Sequence, residues 1–73
     1  MSTWTEDQGT RMLVCRVRAG MSQVEVARRM GVSQPMVSRV ENGLCTPNVE
    51  WMTRYAAALG MPARLLILLP DED

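Results

Sequence analysis

The chain has 73 residues, of which 47% are hydrophobic, and its eight arginines balance eight acidic residues without any lysine. A chain this short is expected to form one domain over residues 1–73 that buries only about 60% of its unfolded surface, and its apolar content excludes an intrinsically disordered protein. Without a run of ~20 apolar residues or a signal peptide at its start, we expect a cytoplasmic protein that does not partner with a membrane.

The first predicted helix begins at a capping-box pattern, in which Thr5 is followed three residues later by Gln8. The helix continues until Gly20 ends it. Met12 and Cys15 lie three residues apart within it, and this spacing predicts that both face the core.

Two short helices follow, and a tight turn joins them. Ser22 opens the second helix as part of a capping box, and Gly31 ends it with a left-handed backbone conformation. Ser33 caps the third helix, whose first turn tolerates Pro35 because no intrahelical N–H bond is lost there. The residues predicted to meet between these helices are Val26, Met30, Val32, Val37 and Val40. Residues 22–43 are therefore predicted to form a helix-turn-helix unit.

The last part of the chain predicts two further helices. Asn48 caps a fourth helix and Gly60 closes it, and a fifth helix is predicted over residues 62–69. Residues 65–69 are all apolar, so they cover this helix on all sides and leave a patch that usually marks an interface. The residues expected in a homodimer interface are Trp51, Leu65, Ile67, Leu68 and Leu69.

Three motifs stand in order along the chain: G-M-S-Q at residues 20–23, G-V-S-Q at 31–34 and V-S-R-V-E-N-G at 37–43. Together they resemble the Xre/Cro-type family of helix-turn-helix transcriptional regulators. The resemblance implies an all-α, lambda-repressor-like domain of four or five helices. It also implies a dimeric repressor or controller that binds an inverted-repeat operator in double-stranded DNA. RNA polymerase and a toxin remain open as further partners.

The resemblance also implies which residues contact DNA, with the third helix entering the major groove. The implied base contacts are Gln34, Pro35, Ser38 and Arg39, and the implied phosphate contacts are Gln23 and Asn42. The Gln34 amide suits a bidentate contact with adenine, and the Arg39 guanidinium suits one with guanine. Arg16 and Glu41 match a charged pair that joins the first and third helices inside such domains. Because an unpaired carboxylate on the buried side would be costly, we expect this pair to be structural.

The charge distribution bears on this function. Residues 6–7 and 71–73 hold five of the eight acids, so the middle of the chain carries eight arginines against three glutamates. After Gly43, where the family often carries basic residues, this chain has Leu44-Cys45-Thr46. The sequence therefore predicts few phosphate contacts, and an affinity that depends on dimerisation or base recognition.

The residues leave a second functional class open. A neutral net charge and the apolar residues Leu13, Val14 and Leu44 favour a helix-turn-helix scaffold that acts as a protein-interaction module or antitoxin-like partner. The chain has no histidine, and its cysteines Cys15 and Cys45 are far apart. We therefore expect no catalytic residues, no metal site, no cofactor and no enzyme activity, with Cys45 an exposed, reduced thiol.

Overall fold

The computed structural model describes residues 4–66, and in this range the chain contains helices and no strand. The helices are α1 (Trp4–Arg18), α2 (Gln23–Met30), α3 (Gln34–Glu41) and α4 (Val49–Leu59), and a 3₁₀ turn follows at Ala63–Leu65. The predicted all-α fold is confirmed. Among the described residues, no helix is both long enough and apolar enough to cross a membrane.

The helix starts and ends follow the predicted capping residues. The side-chain oxygens of Ser22, Ser33 and Asn48 accept hydrogen bonds from backbone N–H groups in the first turns of α2, α3 and α4, at 3.0, 3.2 and 2.7 Å. Each bond satisfies a donor that the first turn of a helix leaves without a partner. Gly31 and Gly60 end α2 and α4 with φ of 75° and 78°, a conformation that favours glycine.

The predicted capping box of α1 is wrong. The helix begins at Trp4, so Thr5 lies inside it and does not precede it. The Gln8 side chain has a different partner, because its Nε2 donates to Met52 Sδ of α4 at 3.2 Å. Gln8 therefore connects two helices.

The structure describes only the first part of the predicted fifth helix, and that part is a short 3₁₀ helix at Ala63–Leu65 where an α-helix was expected. The chain forms one 3₁₀ turn in which Leu66 N donates to Ala63 O at 2.9 Å, and Leu66 is fully buried. The burial of Leu66 closes the core at this end of the domain. Ile67, Leu68 and Leu69, which were predicted to continue the helix, lie outside the described residues, as does the side chain of Leu65.

The core lies where all four helices meet. Its buried hydrophobic residues are Met12, Val26, Ala27, Met30, Val37, Val40, Met52, Tyr55, Ala56, Ala58 and Leu66. The valines and methionines predicted to fill the angle between α2 and α3 are among them, except for Val32, which is half-buried. Since burial of one large apolar side chain contributes about 1.5–3 kcal/mol, this cluster is the main stabilising element of a small domain.

Cys45 is not exposed as expected, because the loop between α3 and α4 folds back over the core. Its side chain is half-buried, and it lines a shallow cavity beside Met36, Val40 and Trp51. Cys15 is also half-buried against the core, and both cysteines are free thiols.

A close backbone contact between α1 and α3 fixes the position of α3. A Cβ atom at Gly9 would lie 2.5 Å from Val40 O and 2.8 Å from Glu41 O. Only glycine allows α1 to approach the end of α3 this closely. The helix that carries the predicted base contacts is therefore held directly against α1.

Candidate nucleic-acid interface

The two sides of α3 have different surroundings. Val37, Val40 and Glu41 are buried, as the spacing along the helix predicts. On the other side, Pro35 and Arg39 are exposed. Gln34 and Ser38, the other predicted base contacts, are half-buried on the same helix. This side of α3 thus presents polar groups together with the proline ring.

Asn42 lies at the C-terminal end of this polar side. It is exposed, and its Nδ2 donates to Ser38 Oγ at 3.3 Å, while its backbone N–H donates to Ser38 O at 3.0 Å. Both bonds hold Asn42 next to α3. Its contact with a DNA phosphate remains a prediction.

Gln23 and Gln34, predicted as separate DNA contacts, are joined in the structure. Gln34 Nε2 donates to Gln23 Oε1 at 2.6 Å, and Gln23 Nε2 donates to Glu41 Oε1 at 2.9 Å. Gln23 is the first residue of α2, directly after the N-cap Ser22. A continuous chain of hydrogen bonds therefore runs from the buried carboxylate of α3 to its surface.

The ion pair between Arg16 and Glu41 expected from the sequence is present. Arg16 Nε donates to Glu41 Oε2 at 2.7 Å, and Arg16 Nη2 donates to Glu41 Oε1 at 3.0 Å. Arg16 Nη1 also donates to Met21 O at 2.8 Å. The Glu41 side chain is fully buried and that of Arg16 is 11% exposed, so this two-point contact joins α1 to α3 inside the domain.

Tyr55 is a further partner of Glu41 that the sequence analysis missed. Its hydroxyl lies 2.6 Å from Glu41 Oε2 and 2.9 Å from Met12 O. Both are acceptors, and the charged one makes the stronger bond. A tyrosine on the buried side of α4 needs a hydrogen-bond partner for its hydroxyl, and this requirement could have linked it to the buried Glu41.

These contacts keep Glu41 ionised. Burial alone would raise the pKa of Glu41, but hydrogen bonds from Arg16, Tyr55 and Gln23 outweigh it and hold the pKa below its ordinary value. The hydrogen bond to Glu41 raises the pKa of Arg16, and burial raises the pKa of the Tyr55 hydroxyl. At neutral pH the cluster therefore contains a carboxylate, a guanidinium and an uncharged phenol.

The arginines of α2 have partners within the domain. The Glu25 carboxylate accepts hydrogen bonds from Arg28 and Arg29, both at 2.7 Å. Arg54 of α4 donates to Met30 O at the end of α2, at 2.6 Å.

Arg39 is exposed on the polar side of α3. Its contact with a DNA base remains a prediction.

Trp51, predicted to border a dimer interface, is half-buried at the start of α4. Its ring stacks on that of Tyr55, with centroids 5.7 Å apart and planes at 26°. Val49, two residues earlier, is 59% exposed, and Leu44 in the preceding loop is 75% exposed. Apolar surface is thus available near Trp51, and the role of Trp51 in dimerisation remains a prediction.

Comparison with known proteins shows which family the chain resembles in sequence and in fold. A sequence model of the helix-turn-helix domain matches residues 9–69. The antitoxin HigA1 of Mycobacterium tuberculosis H37Rv is 42% identical over 59 residues, which cover 81% of this chain and 40% of that protein. A hypothetical transcription factor of Neisseria meningitidis serogroup B is 42% identical over 64 residues, which cover 84% of this chain and 58% of that protein. The chain therefore spans 40–58% of the length of these two relatives.

Two solved structures share the fold. The crystal structure of the hypothetical transcription factor NHTF from Neisseria has a TM-score of 0.79 and 35% identity, and the match covers 90% of this chain and 76% of that one. The restriction–modification controller protein C.AhdI from Aeromonas hydrophila has a TM-score of 0.81 and 27% identity, and the match covers 85% of this chain and 90% of that one. Together with the motifs and the arrangement of α2 and α3, these matches show that the chain belongs to the helix-turn-helix family, as a domain of the Xre/Cro type.

Proposed function

We propose that this chain is a transcriptional regulator that binds double-stranded DNA and recognises its sequence with the polar side of α3. The observation that carries the proposal is that the buried Glu41 attaches one side of α3 to the rest of the domain. Arg39 is exposed on the other side of this helix. A rigidly held helix with exposed polar groups is what recognition in the major groove requires. Two relatives with this fold are a hypothetical transcription factor and a restriction–modification controller protein by name.

The proposed contacts divide into two kinds. Gln34 and Arg39 would form bidentate contacts with adenine and guanine, while Ser38 and Pro35 would contact a neighbouring base edge or thymine methyl group. Gln23 and Asn42 would bind phosphates. Gln23 is well placed for this role because the first turn of α2 has a positive dipole end that favours an anion.

A homodimer is part of the proposal. One α3 reads only a few base pairs, and a chain with zero net charge gains little affinity from phosphates alone. Two copies related by a two-fold axis would read an inverted repeat with half-sites about one helical turn apart. We propose that the contact involves Trp51, Leu65, Ile67, Leu68 and Leu69, and we expect the dimer to act in the cytoplasm by excluding or recruiting RNA polymerase.

A second candidate function is that of an antitoxin-like protein with a toxin as its partner. The similarity to the antitoxin HigA1 favours it, as do the exposed apolar residues Val14 and Val17 on α1, at 40% and 58% exposure. Such a surface marks a protein contact more often than a DNA contact. This function is compatible with DNA binding through α3, since the two surfaces involve different helices.

Selection from a randomised duplex pool tests the proposed function. The full chain is mixed with the pool, the bound duplexes are sequenced, and affinities for the enriched and a scrambled duplex are compared by fluorescence anisotropy at one fixed salt concentration. We expect an enriched inverted repeat that binds about 10³-fold more tightly than the scrambled duplex. A folded protein that binds both duplexes equally, or neither, would contradict the proposal.

A further inference from the structure

The buried carboxylate of Glu41 leaves no freedom in how its neighbours are oriented. A carboxylate offers about four acceptor positions and no donor. Arg16 Nη2 and Gln23 Nε2 donate to Glu41 Oε1 at 3.0 and 2.9 Å, and Arg16 Nε and Tyr55 Oη approach Oε2 at 2.7 and 2.6 Å. Four donors thus occupy the four positions. Any side chain that contacts Glu41 must present a hydrogen to it.

This requirement also fixes the orientation of the side-chain amides of Gln23 and Gln34. Gln23 must direct its NH₂ group at Glu41, so its Oε1 is the atom that remains for Gln34. Gln34 must then direct its own NH₂ group at Gln23, and it does so at 2.6 Å. The reverse orientation of either amide would place two acceptors or two donors against each other. The Oε1 atom and the second N–H of Gln34 are left for a ligand.

An acceptor beside a donor matches one base in the major groove. Adenine presents the N6 amino group as a donor next to the N7 acceptor, whereas guanine presents two acceptors, O6 and N7. A Gln34 amide in the fixed orientation can accept from adenine N6 and donate to N7. Against guanine, its Oε1 would face O6, and two acceptors would repel.

We propose that Glu41 is a positioning residue for base recognition, which fixes the orientation of the Gln34 amide through Gln23 and thereby selects adenine over guanine. The inference rests on the proposed DNA-binding function. It gives the cluster of Arg16, Tyr55 and Glu41 a role in specificity in addition to its role in joining the helices.

Two variants interrupt the series of hydrogen bonds from Glu41 through Gln23 to Gln34, each at a different point. Gln23→Met removes the amide that connects Glu41 to Gln34, at a half-buried position where a side chain of similar length is tolerated. The double substitution Arg16→Met with Glu41→Met removes the carboxylate together with its counter-charge, which avoids a buried unpaired charge. In that variant the Tyr55 hydroxyl keeps Met12 O as an acceptor. Val24→Met, at an exposed position of α2, serves as the matched control.

The first measurement is the base preference at every position of the selected duplex, for the wild type, both variants and the control. The base pair that Gln34 contacts is identified as the position at which Gln34→Ala loses its base preference. At that position the wild type should prefer adenine to guanine about 5- to 150-fold. Both variants should lower this preference about threefold or more, because a free amide adopts either orientation. Preferences at other positions and in Val24→Met should stay unchanged. An equal loss at all positions, or an unchanged adenine preference, would overturn the proposal.

The second measurement needs no DNA and separates this inference from the proposed function. In ¹⁵N-labelled protein, one side-chain N–H of Gln34 should exchange slowly with solvent in the wild type and in Val24→Met. Its protection from exchange should fall in Gln23→Met and also in the Arg16→Met, Glu41→Met variant, which retains Gln23. If the Gln34 amide exchanges equally in all four proteins, Glu41 does not orient it, whatever the protein binds. A protected Gln34 amide in a protein that selects no duplex would instead contradict the proposed function.

Discussion

The carboxylate of Glu41 lies against the guanidinium of Arg16 in a two-point contact, with N–O distances of 2.7 and 3.0 Å. The pair joins α1 to α3, and the Glu41 side chain is fully buried. Its other bonds reach α2 through Gln23 and α4 through Tyr55. One carboxylate of α3 thus bonds to each of the three other α-helices that the structure describes, and the position of α3 depends on it.

Removal of this carboxylate should destabilise the fold severely. We expect Glu41→Ala to lower the free energy of unfolding by about 3–5 kcal/mol, because Arg16 is left buried without its counter-charge. The measurement is urea denaturation followed by circular dichroism. Arg16→Met with Glu41→Met should recover most of the loss, since it leaves no buried charge. A stability of Glu41→Ala within error of the wild type would show that the pair contributes nothing.

The same contacts predict loss of stability in acid. The pKa of Glu41 is held below its ordinary value of 4.5, so its contribution is fully present above about pH 4.5 and is lost as pH falls through the lower, folded-state pKa. The melting temperature of the wild type should therefore fall more steeply below pH 4.5 than that of the Arg16→Met, Glu41→Met variant. Both proteins retain the half-buried Glu25, whose pKa is also lowered by Arg28 and Arg29. Parallel melting curves in the two proteins would assign the acid sensitivity to groups other than Glu41.

Gly9 should not tolerate a side chain. In Gly9→Ala the new Cβ would meet Val40 O at 2.5 Å and Glu41 O at 2.8 Å, and both are backbone atoms that cannot rotate away. We expect a loss of stability of about 1–3 kcal/mol, typical of an overpacked contact, although alanine favours the helix. Gly20→Ala is not a suitable control because its φ of 76° adds strain. Ala57→Gly, at an exposed site of α4, is used instead to measure the difference in helix propensity between alanine and glycine. A Gly9→Ala protein as stable as the wild type would show that α1 and α3 are farther apart.

The helix boundaries could largely be predicted from the sequence, whereas the connections between helices could not. Ser22, Ser33 and Asn48 act through backbone groups three residues away, so local spacing is enough to identify them. The contacts of Gln8 with Met52 and of Tyr55 with Glu41 join residues 44 and 14 positions apart, and no local pattern records them. The resemblance suggested separate DNA contacts for Gln23 and Gln34, and it gave no sign that the two amides bond to each other.

The proposed dimer makes a separate prediction. The wild type should sediment as a dimer at micromolar concentration, and Ile67→Asp or Leu68→Asp should give folded monomers with much weaker DNA binding, because a charge in an apolar interface is unpaired. Val17→Asp, at a site 58% exposed on α1, should remain dimeric. Sedimentation of the wild type as a monomer at tens of micromolar, with unchanged DNA binding in both segment variants, would rule out this interface.

The most direct test of sequence recognition by α3 is the effect of Arg39→Ala on affinity for every single-base variant of the selected duplex. We expect the affinity for the selected site to fall by about 1–3 kcal/mol and the preference to relax at one base pair in each half-site. Arg64→Ala, an exposed arginine outside the helix-turn-helix unit, should leave both quantities unchanged. An equal loss of affinity on specific and random DNA, or no loss at all, would contradict base recognition by Arg39.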